Sequence, residues 1–265
     1  MGKLGLQLYT LRTETPKDFL GTLAKVAEVG YQGVEFSGYF GMSARDLKRA
    51  LDDNGLEAAG TVAGVQVLES ALECVIEYVR IIECPAIVLP GLFGDYVASV
   101  DSCMKSADSL NRFGGLCKKN GIKFLYHIHG SEFKDMNGKT GMDILLNNTD
   151  PQLVNCEIDV YWVEHAGVDS VEFMKKYGDR CPYIHFKDMK DKVSKRDTEV
   201  GEGAIDMRGI VREAKKNHAE WFIVEQEAFH DVPPMESIAI SLKNLRRLAE
   251  ENQVSHLGVN KSLAV

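Results

Sequence analysis

The chain has 265 residues, of which 31 are Lys or Arg and 39 are Asp or Glu, so its formal net charge is −8. Hydrophobic residues make up 45% of the chain, which is enough apolar mass for a sizeable core and excludes intrinsic disorder as the main state. The acidic balance argues against non-specific nucleic-acid binding, because that binding needs a basic surface that displaces counterions.

The sequence also carries no sign of a membrane or secretory segment. Its longest apolar runs fall far short of the length that spans a bilayer, and no signal peptide is recognisable. The six cysteines are scattered without a CxxC pair, which is typical of reduced thiols rather than of a disulfide framework. We therefore expect a cytoplasmic protein that has neither nucleic acid nor membrane as a partner.

Short β-rich runs alternate with longer helical patterns along the whole chain. The first run, Lys3–Tyr9, predicts a strand, and the apolar spacing of Lys17–Val29 predicts a helix that ends at Gly30. Further strands are predicted, in chain order, at Gly33–Phe36, Glu57–Val62, Ala86–Pro90, Lys123–His129, Val154–Tyr161, Tyr183–Lys187 and Trp221–Glu227. Further helices are predicted at Ala44–Asn54, Val67–Ile81, Val97–Asn120, Gly141–Asn147, Ser170–Tyr177, Met207–Asn217 and Met235–Glu250.

These runs form eight strand–helix units of about 33 residues each, close to the length that one βαβ unit requires. Strict alternation predicts a parallel sheet, and eight repeats at this length predict an α/β fold, a single-domain (β/α)8 TIM barrel. A doubly wound open sheet is the alternative, but no glycine fingerprint follows the first strand. We expect the barrel to cover residues 1–253, with a patternless tail at 254–265 that is compatible with a contact in a homo-oligomer.

Polar side chains cluster at the ends of the later predicted strands, where a barrel of this kind builds its reactive site. Alternation along each strand lets Asp159, His185 and Glu225 converge at the barrel mouth, and Glu132 adds a third carboxylate. One such residue at a strand end is usually structural, but four on successive strands favour a divalent metal site. Clustered carboxylates repel one another unless a cation lies among them.

Five segments, YHIHGSEF, EIDVYWVEHAG, YIHFKD, VGEGAIDM and FIVEQE, follow one another in this order. Together they resemble the xylose isomerase-like TIM-barrel family of sugar phosphate isomerases and epimerases, over nearly the whole chain. The resemblance implies one divalent metal, with Mn²⁺ as the preferred candidate and Mg²⁺, Co²⁺ or Zn²⁺ as alternatives. The implied ligands are Glu132, Asp159, His185 and Glu225.

The ligand from strand five departs from the family pattern. Many relatives place the first Glu within strand five itself, where this chain has Tyr126 and His127. Glu132, His127 and His129 therefore all stay open as the ligand from this part of the chain.

The resemblance implies a metal-dependent isomerase or epimerase of a small keto-sugar or sugar derivative. In the shared step, a base removes the proton α to a carbonyl, and the metal stabilises the resulting ene-diolate. A lyase or dehydratase that acts on a 3-keto-glycoside or keto-inositol is the alternative, because it begins with the same step. A non-catalytic sugar-binding subunit is a further alternative.

Roles can be assigned to the remaining polar residues near the predicted mouth. His129 is the leading general base, and Glu132 is its rival because epimerases of the family often use two metal-bound Glu residues as an acid–base pair. Glu225 is then the second catalytic carboxylate. The predicted substrate contacts are Gln7, Glu35, His127, Trp162 and Lys187. The charged segment 191–198 is predicted to form a mobile lid over the site.

Overall fold

The computed structural model describes residues 2–258, with side chains described as far as residue 251. Eight parallel strands close into a barrel because the first strand pairs with the second on one side and with the last on the other. The predicted single-domain (β/α)8 barrel is therefore confirmed. The barrel strands are β1 (Lys3–Gln7), β2 (Gly33–Phe36), β3 (Glu57–Val62), β4 (Ala86–Leu89), β5 (Lys123–Ile128), β6 (Asn155–Asp159), β7 (Tyr183–Phe186) and β10 (Trp221–Val224).

Helices follow the strands in sequence and cover the outside of the barrel. Local signals define several of their ends: Ser43 accepts a hydrogen bond from the Asp46 backbone N–H at the start of the second helix, and Gly55 ends it in the left-handed conformation. The helices are α1 (Phe19–Val29), α2 (Ala44–Asn54), α3 (Val65–Ile81), α4 (Val100–Lys119), α5 (Gly141–Asn147), α6 (Val160–His165), α7 (Ser170–Tyr177), α8 (Met207–Lys216) and α9 (Pro234–Gly258). Within the described chain, none of them is long and apolar enough to cross a membrane.

Large side chains close the end of the barrel at which the strands begin. Trp221 and Tyr183 are buried there beside small residues of the neighbouring strands. Tyr183 donates a hydrogen bond to the backbone oxygen of Ala59 across the barrel, at 2.7 Å. Gly33 leaves room for the indole, since a Cβ at this position would lie 2.5 Å from Trp221. The opposite end stays open for a site.

The chain leaves β6 earlier than the sequence predicts. The predicted strand extends through Tyr161, but β6 ends at Asp159, whose carboxylate accepts a hydrogen bond from the backbone N–H of Trp162 at 3.1 Å. This cap starts α6, so Tyr161 and Trp162 lie on a helix. At the other end of the chain, α9 continues past residue 253 into the predicted tail, and residues 259–265 lie outside the described part.

The segment predicted as a lid forms the loop and the second strand of a small hairpin. Strands β8 (Asp188–Met189) and β9 (Asp197–Thr198) pair in antiparallel fashion beyond the barrel. The Asp188 carboxylate also accepts backbone N–H bonds from Gly201, Gly203 and Ile205. These hydrogen bonds hold the loop at residues 201–205 against β8.

Candidate metal centre and catalytic site

Four consecutive barrel strands send buried polar side chains to the mouth of the barrel. Leu125 of β5 points into the barrel, so alternation directs His127 to the same side. By the same rule, β6 contributes Asp159, β7 contributes His185, and Glu225 follows the end of β10. All four of these polar side chains are buried.

These four side chains form a compact group that could hold a metal ion. Each offers one ligand atom, and the atoms of His127, Asp159, His185 and Glu225 all lie within 4.8 Å of one another. Nδ1 of His185 lies 3.2 Å from Glu225, and Nε2 of His127 lies 4.0 Å from Oδ2 of Asp159. That Asp159 oxygen is buried and has no hydrogen-bond partner. Two imidazole nitrogens and two carboxylate oxygens suit Mn²⁺, Co²⁺ or Zn²⁺.

The structure does not bring the predicted ligand Glu132 into this group. Glu132 lies on a 3₁₀ turn, Ser131–Phe133, and accepts hydrogen bonds from the Tyr126 hydroxyl at 2.5 Å and from the Ser131 hydroxyl at 3.0 Å. The turn begins after β5 has ended, and these partners hold the carboxylate away from the other ligands. Of the three strand-five alternatives, His127 is the one that the geometry brings into this four-residue group.

A second layer of carboxylates lies behind the two histidines. Nδ1 of His127 is 2.8 Å from Oε2 of Glu157, and Nε2 of His185 is 2.9 Å from Oε2 of Glu35. Burial and the neighbouring Glu157 raise the pKa of Glu35 to about 7. Sequence reasoning assigned no role to Glu157, although its position two residues before Asp159 puts it on the same side of β6. Gln7, a predicted substrate contact, donates to Glu35 and also lines the cavity.

The charges of this cluster favour a bound cation. Burial raises the pKa of Asp159 to about 7, although the Lys187 ammonium opposes this shift. Burial also works against ionisation of Glu225, yet its hydrogen bond from His185 holds its pKa well below the usual range. Burial opposes protonation of His185 as well, but Glu157 and Glu35 raise its pKa well above the ordinary value. In the metal-free chain, the positive charge of His185 therefore compensates part of the carboxylate charge.

A cavity of about 820 Å³ opens above this group, lined by Tyr9, Phe93, His129, Trp162 and His165 among others. His129 packs against Phe93 and Trp162, with ring centroids 5.1 and 5.5 Å apart. Its Nδ1 atom is buried and has no hydrogen-bond partner. Burial and the neighbouring His127 lower the pKa of His129 to about 3, so its imidazole is neutral at neutral pH.

Lys187, a predicted substrate contact, is buried and held by other protein groups. Its Nζ lies 2.5 Å from Glu227 and 4.9 Å from the centre of the Trp162 ring. Burial works against the charge, but Asp159 and Glu225 raise the pKa of Lys187 above its ordinary value. The ammonium group therefore remains protonated. Lys187 itself does not line the cavity, whereas its partner Glu227 does.

Comparison with known proteins gives the family. Residues 23–248 match the sequence model of a family described as xylose isomerase-like TIM barrel. The chain belongs to this family. Membership agrees with the closed eight-stranded barrel and confirms the resemblance that the five sequence segments indicate.

Several proteins similar to this chain are named as enzymes of sugars or sugar derivatives. An inosose dehydratase of Geobacillus kaustophilus is 27% identical, over 77% of this chain and 79% of the relative. The crystal structure of a sugar phosphate isomerase/epimerase from Parabacteroides distasonis shares 26% identity and a TM-score of 0.81, covering 95% of this chain and 96% of that one. The structure of the IOLI protein with a bound zinc atom shares the fold, with a TM-score of 0.76 at 14% identity and coverage of 94% and 99%.

Proposed function

We propose that the protein is a metal-dependent lyase that dehydrates a cyclic keto-polyol or keto-sugar, beginning with removal of the proton α to the carbonyl. The observation that carries the proposal is the four-residue ligand group at the floor of a roomy cavity, with the unpartnered imidazole of His129 in the same wall. A polarised carbonyl and a free base side by side are the two requirements of this chemistry.

The residues that would hold the metal are His127, Asp159, His185 and Glu225, and the unpartnered Asp159 oxygen supports their fit. Mn²⁺ is the preferred candidate, because the mixed nitrogen and oxygen donor set accepts it readily. When bound, a divalent metal supplies Lewis acidity toward the carbonyl oxygen of the substrate.

In this proposal His129 is the general base. The side chain lines the cavity, and its imidazole accepts the proton from the carbon next to the carbonyl. The rings of Phe93 and Trp162 pack against the imidazole and hold it in place. Burial keeps this imidazole unprotonated at neutral pH, so the group begins the reaction in the form that a base requires.

The leaving hydroxyl needs a proton, and the proton taken up by His129 balances the step. Glu227 lines the cavity and is held in place by a hydrogen bond from Lys187, so it can orient the leaving hydroxyl. Transfer of the proton from His129 to the hydroxyl releases water as the carbon–oxygen bond breaks and returns His129 to its neutral form. The electron pair left by the abstracted proton forms the carbon–carbon double bond, so the products are an unsaturated ketone and one water molecule.

Two observations favour elimination over the isomerase or epimerase alternative. Epimerases of the family often use two metal-bound Glu residues, but here the strand-five position carries His127, and Glu132 is held by Tyr126 and Ser131. The relatives named inosose dehydratase also favour a dehydration. The isomerase or epimerase stays the second candidate, because a structure named for that activity is 26% identical over 95% of this chain.

The test is an assay of the Mn²⁺-loaded protein in D₂O with an inosose, a 3-keto-glycoside and a set of simple ketoses. A lyase gives a product that has lost the leaving group and gained the ultraviolet absorbance of an unsaturated ketone. An isomerase or epimerase instead gives products of unchanged composition that have taken up deuterium at the α carbon.

Two variants provide the controls for this assay. Glu225→Gln is expected to abolish turnover with loss of metal, and His129→Ala to lower kcat by about 10² to 10⁴ with the metal retained. Deuterium uptake without elimination would replace the lyase by the second candidate. A metal-loaded protein that binds these sugars without either reaction would support the sugar-binding subunit.

A further inference from the structure

Both histidines of the metal group have their second ring nitrogen on a buried carboxylate. Nδ1 of His127 lies 2.8 Å from Glu157, while Nε2 of His185 lies 2.9 Å from Glu35. Both carboxylates are buried and belong to β6 and β2, which are rigid parts of the barrel. Glu157 lines the same cavity as His129, and its Oε1 lies 3.2 Å from Nε2 of His185, so that nitrogen faces two carboxylates.

The contacts between the histidines and the carboxylates indicate which ring nitrogens carry protons. A neutral imidazole has one N–H donor and one nitrogen with a free lone pair, and only the lone pair can bind a metal. A carboxylate accepts hydrogen bonds, so a nitrogen beside it carries a proton. In the metal-free chain this holds for both nitrogens of His185, since Nδ1 also lies 3.2 Å from Glu225. Once the Glu225 carboxylate is a metal ligand, Nδ1 loses this acceptor. The remaining protons are then on Nδ1 of His127 and on Nε2 of His185, and the lone pairs are on the opposite nitrogens.

The positions of those opposite nitrogens agree with this assignment. Nε2 of His127 is directed toward Oδ2 of Asp159, 4.0 Å away, and Nδ1 of His185 is directed toward Glu225, 3.2 Å away. These two nitrogens therefore face the oxygen ligands from two different strands. The two histidines present different nitrogens to one position.

We propose that Glu157 and Glu35 are positioning residues that fix the two histidines in opposite tautomers, so that His127 binds the metal through Nε2 and His185 through Nδ1. The inference rests on the metal centre proposed above. It concerns how the ligands are prepared for a metal, and it does not depend on which sugar is the substrate. Carboxylates that accept the second N–H of a ligand histidine also make that ligand more basic.

The barrel is shaped to hold Glu35 in this role. Gln7 donates a hydrogen bond to the same Glu35 oxygen that faces His185. The pairing of β2 with β3 shifts register between Val34 and Glu35, which sets Gly60 beside the Glu35 side chain. A Cβ at position 60 would lie 2.7 Å from Oε1 of Glu35, so the glycine leaves the space that this carboxylate occupies.

The same residues invite a competing interpretation, because Glu35, Glu157 and His185 could themselves hold a second metal ion. That ion would need the lone pair of His185 Nε2, which the proposal assigns to a proton. The two interpretations differ in the number of ions per chain and in the protonated nitrogen of His185. Both quantities can be measured without any activity assay.

The first experiment is a calorimetric Mn²⁺ titration of the metal-free protein and of Glu157→Gln and Glu35→Gln. We expect one ion per wild-type chain, and a dissociation constant raised about 10- to 100-fold in each variant. Glu132→Gln is the matched control, since it removes an equally buried carboxylate that contacts neither histidine, and its affinity should equal that of the wild type. Unchanged affinity in both test variants, or two ions per wild-type chain, would overturn the proposal.

The second experiment reads the tautomers in the wild-type protein and so does not depend on whether the variants fold. Nitrogen-15 NMR of the histidine rings in Zn²⁺-loaded protein should find the proton of His127 on Nδ1 and that of His185 on Nε2. The reverse arrangement at either residue would contradict the proposal. If the tautomers and affinities agree but no keto-sugar reacts, the proposed function fails while this inference stands. A wild-type chain that binds no metal would refute both.

Discussion

His127 changes the chemistry of the proposed metal position at the scale of a single residue. With His127 in place of a carboxylate, the group has two neutral nitrogens and two acidic oxygens. A divalent cation is then neutralised by the two carboxylates alone, and the nitrogen donors favour Mn²⁺, Co²⁺ or Zn²⁺ over Mg²⁺. The identity of one side chain therefore decides both the charge and the metal preference.

We predict that His127→Ala raises the dissociation constant for Mn²⁺ by about 100-fold or more, because it removes one of four ligands. Glu132→Gln should leave the constant unchanged, since Tyr126 and Ser131 hold that carboxylate outside the group. Titration of the metal-free proteins measures both values. The opposite pattern, with loss of binding in the Glu132 variant alone, would restore Glu132 as the ligand.

Single elements depend on close contacts that the sequence does not reveal. In α4, two adjacent glycines have opposite surroundings: a Cβ at Gly114 would lie 2.3 Å from the backbone oxygen of Leu153, whereas a Cβ at Gly115 would meet nothing within 4 Å. The first glycine allows the helix to approach the loop before β6. The second has no such contact to explain it.

Gly114→Ala is therefore expected to lower the free energy of unfolding by about 1–3 kcal/mol, because the backbone must shift to admit a methyl group. Gly115→Ala should raise it by about 0.5–1 kcal/mol, since alanine is the better helix former. Urea unfolding of both variants beside the wild type measures the difference. Equal effects from the two substitutions would show that helix propensity, and not the Leu153 contact, decides the outcome.

The contact between α5 and α7 makes part of the stability of the folded protein depend on pH. Burial raises the pKa of Asp143, but hydrogen bonds from Lys176, Tyr177 and Thr140 outweigh it and hold the pKa below its ordinary value of 3.8. A carboxyl group whose pKa is lower in the folded state stabilises the fold above the unfolded pKa, and this contribution fades as the pH falls. We expect the stability difference between wild type and Asp143→Asn to be full at pH 6 and to shrink below about pH 4. Urea titrations across this range measure it; a difference independent of pH would contradict the assignment.

At the scale of the whole molecule, the barrel separates stability from the proposed chemistry. Trp221 and Tyr183 fill the end where the strands begin, and the ligand group lies at the end where they finish. The same strands thus carry an apolar plug and a polar site in successive layers. A cytoplasmic location and a homo-oligomeric state stay predictions from the sequence.

Trp221→Ala is expected to lower the free energy of unfolding of the metal-free protein by about 3–5 kcal/mol, because it leaves a cavity in the plug. The folded variant should keep the wild-type dissociation constant for Mn²⁺. Chemical unfolding and calorimetric titration of the same preparation test both statements. If the folded variant bound Mn²⁺ more weakly than the wild type, the apolar end of the barrel and the ligand group would be energetically coupled.

The sequence by itself determined the barrel, because the alternation of strand and helix patterns reports which faces must be buried. It also brought Asp159, His185 and Glu225 together, since alternation along each strand is a local property. Only the tertiary structure decided between His127 and Glu132 at the ligand group, and revealed Glu35 and Glu157 behind the histidines. Those choices depend on the register between strands and on which neighbour each side chain meets across the barrel, and no local pattern in the chain records either.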